Sequence, residues 1–188
     1  MGRRVTSGRR APLRYWRPLL AAIGVALVTP TFVPAQDVTE PAVKATALYK
    51  FAIFTEWPAD VLSPGAPFTI CAVGDNAVAD ALTREVTGRT VGAHPVSVSR
   101  NSSPAGASRG CNVLYVGGGT AANALHSISS LATTPVLTMS DVEGFAGGGG
   151  IAQLYFEHGK LRFTINMAAL KRSRLQMSAK LLQLAKRI

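Results

Sequence analysis

Short β-prone runs alternate with helical segments through the middle of this 188-residue chain. The predicted strands span 68–74, 95–100, 111–116 and 135–139, and the predicted helices span 76–86 and 121–131. Runs 68–74 and 111–116 are almost continuously apolar, which is typical of strands covered on both faces. Run 95–100 alternates apolar and polar side chains, so we expect it nearer an edge. The alternation predicts an α/β fold with a mixed, partly parallel sheet flanked by helices on both faces.

A further helix is predicted before the first of these strands, from a cap at Thr39 to about residue 55. Apolar residues recur there at spacings of four, four and three, and they are Val43, Ala47, Phe51 and Phe54. We expect this face to pack inward and the side chains of Lys44 and Lys50 to point to solvent.

The pattern changes after Met139. Two β-prone segments, 151–157 and 161–166, flank a turn and predict a C-terminal antiparallel hairpin. Asn166 can cap a short helix, and Ser178 can cap a terminal helix that runs to residue 188. The predicted core contacts of that terminal helix are Leu181, Leu182 and Leu184.

The first 35 residues have the order of a signal peptide. Six arginines and no acid precede the uncharged apolar run 19–28, which is about half the length that a membrane-spanning helix needs. Pro30 and Pro34 follow, and Val33 and Ala35 suit the −3 and −1 subsites of signal peptidase. We expect cleavage after Ala35, a periplasmic location and one domain over 36–188. A retained N-terminal anchor is the alternative, and paired arginines leave both general and twin-arginine export open.

Removing the signal peptide changes the charge of the protein. The whole chain has a net charge of +10, but without the six N-terminal arginines 14 basic residues face 10 acidic ones, or about +4. A nucleic-acid partner is therefore not expected. Eight basic residues and no acidic one lie between 160 and 188, with a cluster at Lys171, Arg172 and Arg174. This segment could meet an acidic partner or an anionic membrane, or be a solvated helix face.

The two cysteines, Cys71 and Cys111, both lie in apolar, β-prone runs. In an oxidising compartment we expect them to form a disulfide, which would stabilise the fold by roughly 4 kcal/mol in the chain-entropy model. Two buried free thiols are the alternative.

No catalytic or metal-binding constellation is recognisable, so we expect neither an enzyme nor a metal or cofactor. The three histidines have no ligand spacing, and the known nucleophile and phosphate-loop motifs are missing. Asp141 is interpreted as a turn residue. The glycines at 117–119 open a helix and could hold an anion, but tight strand-to-helix turns need glycine for steric reasons alone.

The chain from about 43 to 188 resembles the YfiR-like family of periplasmic proteins. The motifs that carry the resemblance are ALYKF at 47–51 before EWP at 56–58, FTIC at 68–71 before Gly74-Asp75, CNVLYV at 111–116, PVLTMSD at 135–141 before Gly144-Phe145, RFTIN at 162–166 and SAKLL at 178–182.

The resemblance implies a regulator whose best-known relative restrains a membrane-bound diguanylate cyclase from the periplasm, until an outer-membrane lipoprotein sequesters it. It also implies a mixed sheet with helices on both faces and a bridge between Cys71 and Cys111. Members of the family are often dimers, so a homodimer is a further candidate assembly. A second disulfide found in some members cannot form here. The candidate partner or ligand contacts are Phe51, Phe54, Glu56, Trp57, Asp141, Phe145, Asn166, Lys171, Arg172 and Arg174.

Two functions follow from these observations. The first is a periplasmic regulatory protein that represses a membrane-bound diguanylate cyclase or acts on another inner-membrane sensor protein. The second is a periplasmic sensor or carrier of a small ligand, bound by the glycine loops at the carboxyl ends of the strands.

Overall fold

A computed structural model describes residue 2 and residues 39–100 and 110–188 of the chain. The predicted cleavage site after Ala35 and most of the predicted loop at 101–110 lie outside the described residues. The elements in chain order are α1 (Glu40–Ile53), β1 (Thr55–Glu56), β2 (Phe68–Val73), α2 (Asn76–Val86), β3 (Thr90–Val91), β4 (His94–Ser99), β5 (Val113–Val116), α3 (Ala121–Ile128) followed by a 3-10 turn (Ser129–Leu131), β6 (Leu137–Ser140), β7 (Ala152–Glu157), β8 (Lys160–Ile165), α4 (Met167–Arg172), β9 (Gln176–Met177), α5 (Ala179–Gln183) and β10 (Lys186–Arg187).

In the described part of the chain, eight strands form one mixed sheet in the order β10-β8-β7-β6-β5-β2-β4-β3. Five adjacent strands, β4, β2, β5, β6 and β7, run parallel to one another. At the two sides of this block, β3 pairs with β4 and β8 pairs with β7 in antiparallel fashion. The predicted mixed, partly parallel sheet with a C-terminal hairpin is therefore confirmed. A separate antiparallel pair joins β1 to β9.

Helices α2, α3 and α5 begin where a side chain satisfies a free backbone N–H group, whereas the predicted cap of α1, Thr39, forms no side-chain hydrogen bond to that helix. Asp75 accepts a hydrogen bond from the backbone N–H of Val78 at 3.0 Å, and Thr120 accepts one from Asn123 at 3.3 Å. Ser178 caps α5 in the same way. Caps of this kind satisfy donors that the helix itself leaves open, so these three starts are set by local sequence.

Helices cover both faces of the sheet. On one face α1 and α2 pack against each other and against a buried cluster that includes Ile70 and Tyr115. On the other face α3 covers a smaller cluster that includes Cys71 and Leu114. Neighbouring residues of a strand therefore belong to opposite layers, as the pleat requires.

Helix α1 buries a different face from the predicted one. It ends at Ile53, two residues earlier than expected, and the next residues form β1. Its core residues include Leu48 and Phe51, while Phe54 is 38 % exposed. Lys44 is buried rather than solvent-facing. The prediction for Lys44 was wrong because one of its two ion-pair partners, Asp141, is 97 residues away in the sequence.

The predicted terminal helix to residue 188 was also too long. Helix α5 ends at Gln183, and the chain continues as β10, which pairs in parallel with β8. Leu184 is 70 % exposed and contributes no core contact. The backbone N–H of Ile188 donates to Ile165 and its carbonyl accepts from Met167, so hydrogen bonds to β8 and α4 hold this segment extended.

Cys71 and Cys111 form the expected disulfide, with their Cα atoms 5.8 Å apart. Cys71 is the fourth residue of β2 and Cys111 precedes β5, so the bridge joins the middle of one strand to the approach of its neighbour. Both cysteines lie in the layer covered by α3.

Candidate functional site

The carboxyl ends of β2 and β5 lie side by side at the point where the connections of the sheet change direction. From β2 the chain passes through α2 to β4 on one side, and from β5 it passes through α3 to β6 on the other. In open α/β sheets this switch point is where ligands usually bind.

The glycines at this point are explained by close packing. Gly74 has a positive φ of 81°, and a Cβ atom there would overlap the carbonyl oxygen of Gly117. A Cβ on Gly117 would in turn collide with the Tyr115 ring and Asp75. Steric need therefore accounts for both glycines without an anion, and it favours the packing interpretation of the turn at 117–119.

A buried charged cluster lies beside the switch point. The Nζ atom of Lys44 on α1 is 2.6 Å from Oδ2 of Asp141, which follows β6, and 2.6 Å from Oε1 of Glu40. The side chain of Lys44 is 8 % exposed and that of Asp141 is 18 % exposed. Burial lowers the pKa of Lys44, but the hydrogen bonds that its ammonium group donates to Asp141 and Glu40, together with their negative charges, outweigh burial and raise the pKa above its ordinary value. The lysine is thus a stable cation that fixes α1 to the sheet.

Tyr115 completes this cluster from β5. Burial, and then the negative charges of Asp141 and Asp75, strongly raise the pKa of the Tyr115 hydroxyl, so it stays protonated. A hydrogen-bond interaction with Asp141 also raises the pKa of this hydroxyl, but among the described residues neither the hydroxyl nor Oδ1 of Asp141 has a well-formed hydrogen bond, although both are buried. The cluster joins α1, β5 and β6, and of its members the sequence indicated only Asp141 as a candidate.

A second group of predicted contacts meets at the other end of α1. Phe54 follows the helix, and its backbone carbonyl accepts a hydrogen bond from Ser178 at 2.9 Å. Its ring is 38 % exposed and the neighbouring Ile53 is 41 % exposed. Glu56 is exposed on β1, opposite Gln176 of β9. We call the residues Ile53, Phe54 and Glu56 the α1-end surface.

Trp57 and Arg174 lie near this surface. The Trp57 ring packs edge-on against Phe68, with centroids 4.8 Å apart, and its buried indole N–H has no hydrogen-bond partner among the described residues. Arg174 adopts a positive φ of 61°, and its guanidinium lies 3.4 Å from the Asp60 carboxylate in an exposed ion pair. Trp57 is thus largely a packing residue, whereas Arg174 is accessible.

The other predicted contacts are separated. Phe51 and Phe145 are buried, and Phe51 packs edge-on against Phe163 at 4.9 Å, so neither ring is available at the surface. Asn166 caps α4 and donates through Nδ2 to the carbonyl of Ala146 at 2.8 Å, which fixes the glycine loop.

Lys171 and Arg172 are exposed on α4, and neither forms an ion pair among the described residues. The predicted basic cluster with Arg174 is therefore only partly neutralised, since Arg174 alone has an acidic neighbour.

Two negative findings apply to residues 39–100 and 110–188. No group of three or more histidine, cysteine or acidic side chains is placed to hold a metal ion there. Over the same residues, no helix combines the length and the apolar character that crossing a bilayer requires.

The family described as YfiR/HmsC-like matches residues 41–186. Apart from Glu40 at the start of α1 and Arg187 in β10, the matched range contains α1, the large sheet, the disulfide and both groups of residues described above. No curated protein matches the chain significantly.

Proposed function

This chain belongs to the YfiR/HmsC-like family, and from that premise we propose that it is a periplasmic regulator that restrains a membrane-bound diguanylate cyclase. The restraint acts by protein contact on the periplasmic part of the cyclase, or of an associated inner-membrane sensor protein, and keeps cyclic-di-GMP low. The match over 41–186 is the observation that carries this proposal.

The expected export of the chain supports the periplasmic location. The arginine-rich start, the short apolar run and the small residues before Gln36 favour a cleaved signal peptide. The Cys71–Cys111 disulfide agrees with an oxidising compartment, because structural disulfides rarely persist in a reducing cytoplasm.

The α1-end surface is the contact that we propose for the cyclase. Ile53 and Phe54 expose apolar area beside the charged Glu56. Apolar side chains inside a polar rim are typical of the residues that dominate binding energy at protein interfaces. The backbone hydrogen bond from the Ser178 N–H to the Phe54 carbonyl fixes the main chain at Phe54 before binding, which reduces the ordering cost of association.

Two further partners belong to this proposal. An outer-membrane lipoprotein would relieve the restraint by capturing the regulator, and the regulator itself would act as a homodimer. Both come from the family resemblance, and the proposal assigns no residue of this chain to either contact.

Gene deletion with complementation tests the proposed function. Deletion should raise intracellular cyclic-di-GMP, and the normal gene should restore it. A Phe54→Asp variant should fail to restore it, because a charge replaces the apolar ring at the contact. Phe156→Asp is the matched control, since Phe156 on β7 is also 38 % exposed. Unchanged cyclic-di-GMP after deletion would refute the proposal, and equal failure of both variants would refute the assignment of the surface.

A further inference from the structure

A cavity of about 270 Å³ lies between α3 and α4, on the side of the protein away from the switch point. The 3-10 turn after α3, the glycine loop before β7 and Thr138 of β6 complete its walls. A cavity of roughly 150 Å³ lined by apolar groups can hold benzene, so this volume is sufficient for a somewhat larger molecule.

Six of the twelve described residues that line the cavity are apolar. Ile128 and Leu131 come from the α3 side, Ile151 precedes β7, and Ala169 comes from α4. These four residues are buried, with at most 7 % of their surface exposed, and Leu125 adds a half-buried side chain. A ligand with an apolar body would therefore remove mainly its own hydrocarbon surface from water, because little of the surface of these four residues is exposed.

Arg172 is the only charged side chain that lines the cavity, among the described residues. It is exposed and lies at the mouth, where it has no ion-pair or hydrogen-bond partner in the described part of the chain. In the part of the chain that the structure describes, no carboxylate lines the cavity. A guanidinium presents its donors in a planar fork that fits both oxygens of a carboxylate, so the charge at the mouth favours an organic acid.

Thr138 supplies a second polar group inside the cavity. Its side-chain oxygen accepts a hydrogen bond from the backbone N–H of Ile151 at 3.0 Å, and the residue is 4 % exposed. That bond uses the oxygen as an acceptor, so the hydroxyl hydrogen remains free to donate. Ser129 and Ser173 instead donate to the carbonyls of His126 and Leu170. The cavity thus combines apolar walls with one cation, Arg172, and one buried hydrogen-bond donor, the Thr138 hydroxyl.

We propose that this cavity binds a small organic acid with an apolar body, with the carboxylate on Arg172 and the hydrocarbon part against the walls from α3 and α4. A saturated acid of roughly ten non-hydrogen atoms, such as octanoate, matches the volume. The site is separate from the α1-end surface, and its test does not depend on the cyclase.

The glycine loop limits the size of the site. A Cβ atom on Gly148 would overlap the Leu125 side chain, so Leu125 would have to move. Gly148 has no positive φ, which means that alanine is compatible with the backbone there. Gly148→Ala therefore changes the shape of the cavity with little expected strain in the loop itself.

Isothermal titration of the purified protein with octanoate tests the proposal. The unmodified protein should bind octanoate, and Arg172→Gln should weaken binding by roughly 10- to 100-fold, because a charge-assisted hydrogen bond is lost. Lys171→Gln is the matched control: it also removes an exposed charge from the same helix, but Lys171 does not line the cavity. It should leave affinity unchanged, and neutral octanamide should bind Arg172→Gln and the unmodified protein alike.

Gly148→Ala gives an independent measurement of the apolar part of the site. It should weaken octanoate binding while circular dichroism and melting temperature show an intact fold. The proposal is overturned if octanoate produces no binding heat at millimolar concentration, or if Arg172→Gln binds as well as the unmodified protein. Equal weakening by Lys171→Gln would also overturn it, since that result indicates a general attraction of anions.

Discussion

Replacing Lys44 by methionine tests how the buried charged cluster holds α1 against the sheet. Methionine retains most of the apolar stem of the side chain but removes the ammonium group. Asp141 then loses the partner 2.6 Å from Oδ2, and its other oxygen, Oδ1, is already buried without a partner among the described residues. An uncompensated carboxylate is left where water has little access.

The expected loss of stability is about 2–4 kcal/mol. Removing one partner of a fully buried ion pair costs about 3–5 kcal/mol, and the remaining exposure of the Asp141 side chain, 18 %, reduces that figure. Asp141→Asn combined with Lys44→Met should recover part of the loss, since no charge then stays buried. Urea unfolding followed by circular dichroism measures all three free energies.

The stabilisation that the Lys44 ammonium group provides should also depend on pH in a defined direction. The pKa of Lys44 is raised in the folded state above the ordinary value of 10.5. A raised lysine pKa means that the stabilisation is complete below the unfolded pKa and is lost as pH rises through the folded pKa. The difference in stability between the normal protein and Lys44→Met should therefore be constant near neutral pH and shrink above about 10.5.

Lys50→Met is the control for this experiment, because Lys50 lies on the same helix, is exposed and forms no ion pair among the described residues. It should change stability by no more than about 0.5 kcal/mol. The reasoning would be refuted if Lys44→Met and Lys50→Met lowered the free energy of unfolding equally. It would also be refuted if the decrease caused by Lys44→Met became larger above pH 10.5.

Three other predictions concern the fold. Replacing Cys71 and Cys111 by alanine should lower the free energy of unfolding by roughly 4 kcal/mol, as expected for a sequence separation of 40; a urea series in which the loss stays below about 1 kcal/mol would contradict it. Gly74→Ala should cost at least about 2 kcal/mol, because the new methyl group overlaps the Gly117 carbonyl at a positive φ, and an unchanged melting temperature would be inconsistent with that packing. Leu184→Lys should leave the melting temperature unchanged, since this side chain is 70 % exposed, and a large decrease would indicate a buried role.

The strands were predictable because their signal is local. The continuous apolar run before Gly74 and the alternation in 95–100 correspond to an interior strand, β2, and to β4 next to the edge. The disulfide followed from two cysteines in a chain with an export signal. These features depend on short stretches of sequence whose pattern reports burial directly.

The buried face of α1 could not be predicted from the local sequence pattern. Spacing alone favoured Val43, Ala47 and Phe54, yet the face is set partly by Lys44, whose partner Asp141 is 97 residues away. Glu40 four residues before Lys44 was the one available local signal, since opposite charges at this spacing interact on a helix. That pair predicts an exposed lysine as readily as a buried one.

The last residues of the chain are a similar case. The spacing of Leu181, Leu182 and Leu184 is compatible with a helix, but hydrogen bonds from Ile188 to Ile165 draw the segment into the sheet as β10. Local propensity is weak enough for such tertiary contacts to override it. The cavity beside Arg172 was missed for the same reason, because α3 and α4 are brought together only by the fold.

Photo-crosslinking in living cells tests the central claim most directly. A crosslinking amino acid placed at Phe54 should capture, from the periplasm, an inner-membrane protein that carries a cytoplasmic diguanylate cyclase domain or acts on one. The same amino acid at the equally exposed Phe156 should not capture it. Capture of no such protein at position 54, or equal capture at both positions, would contradict the account.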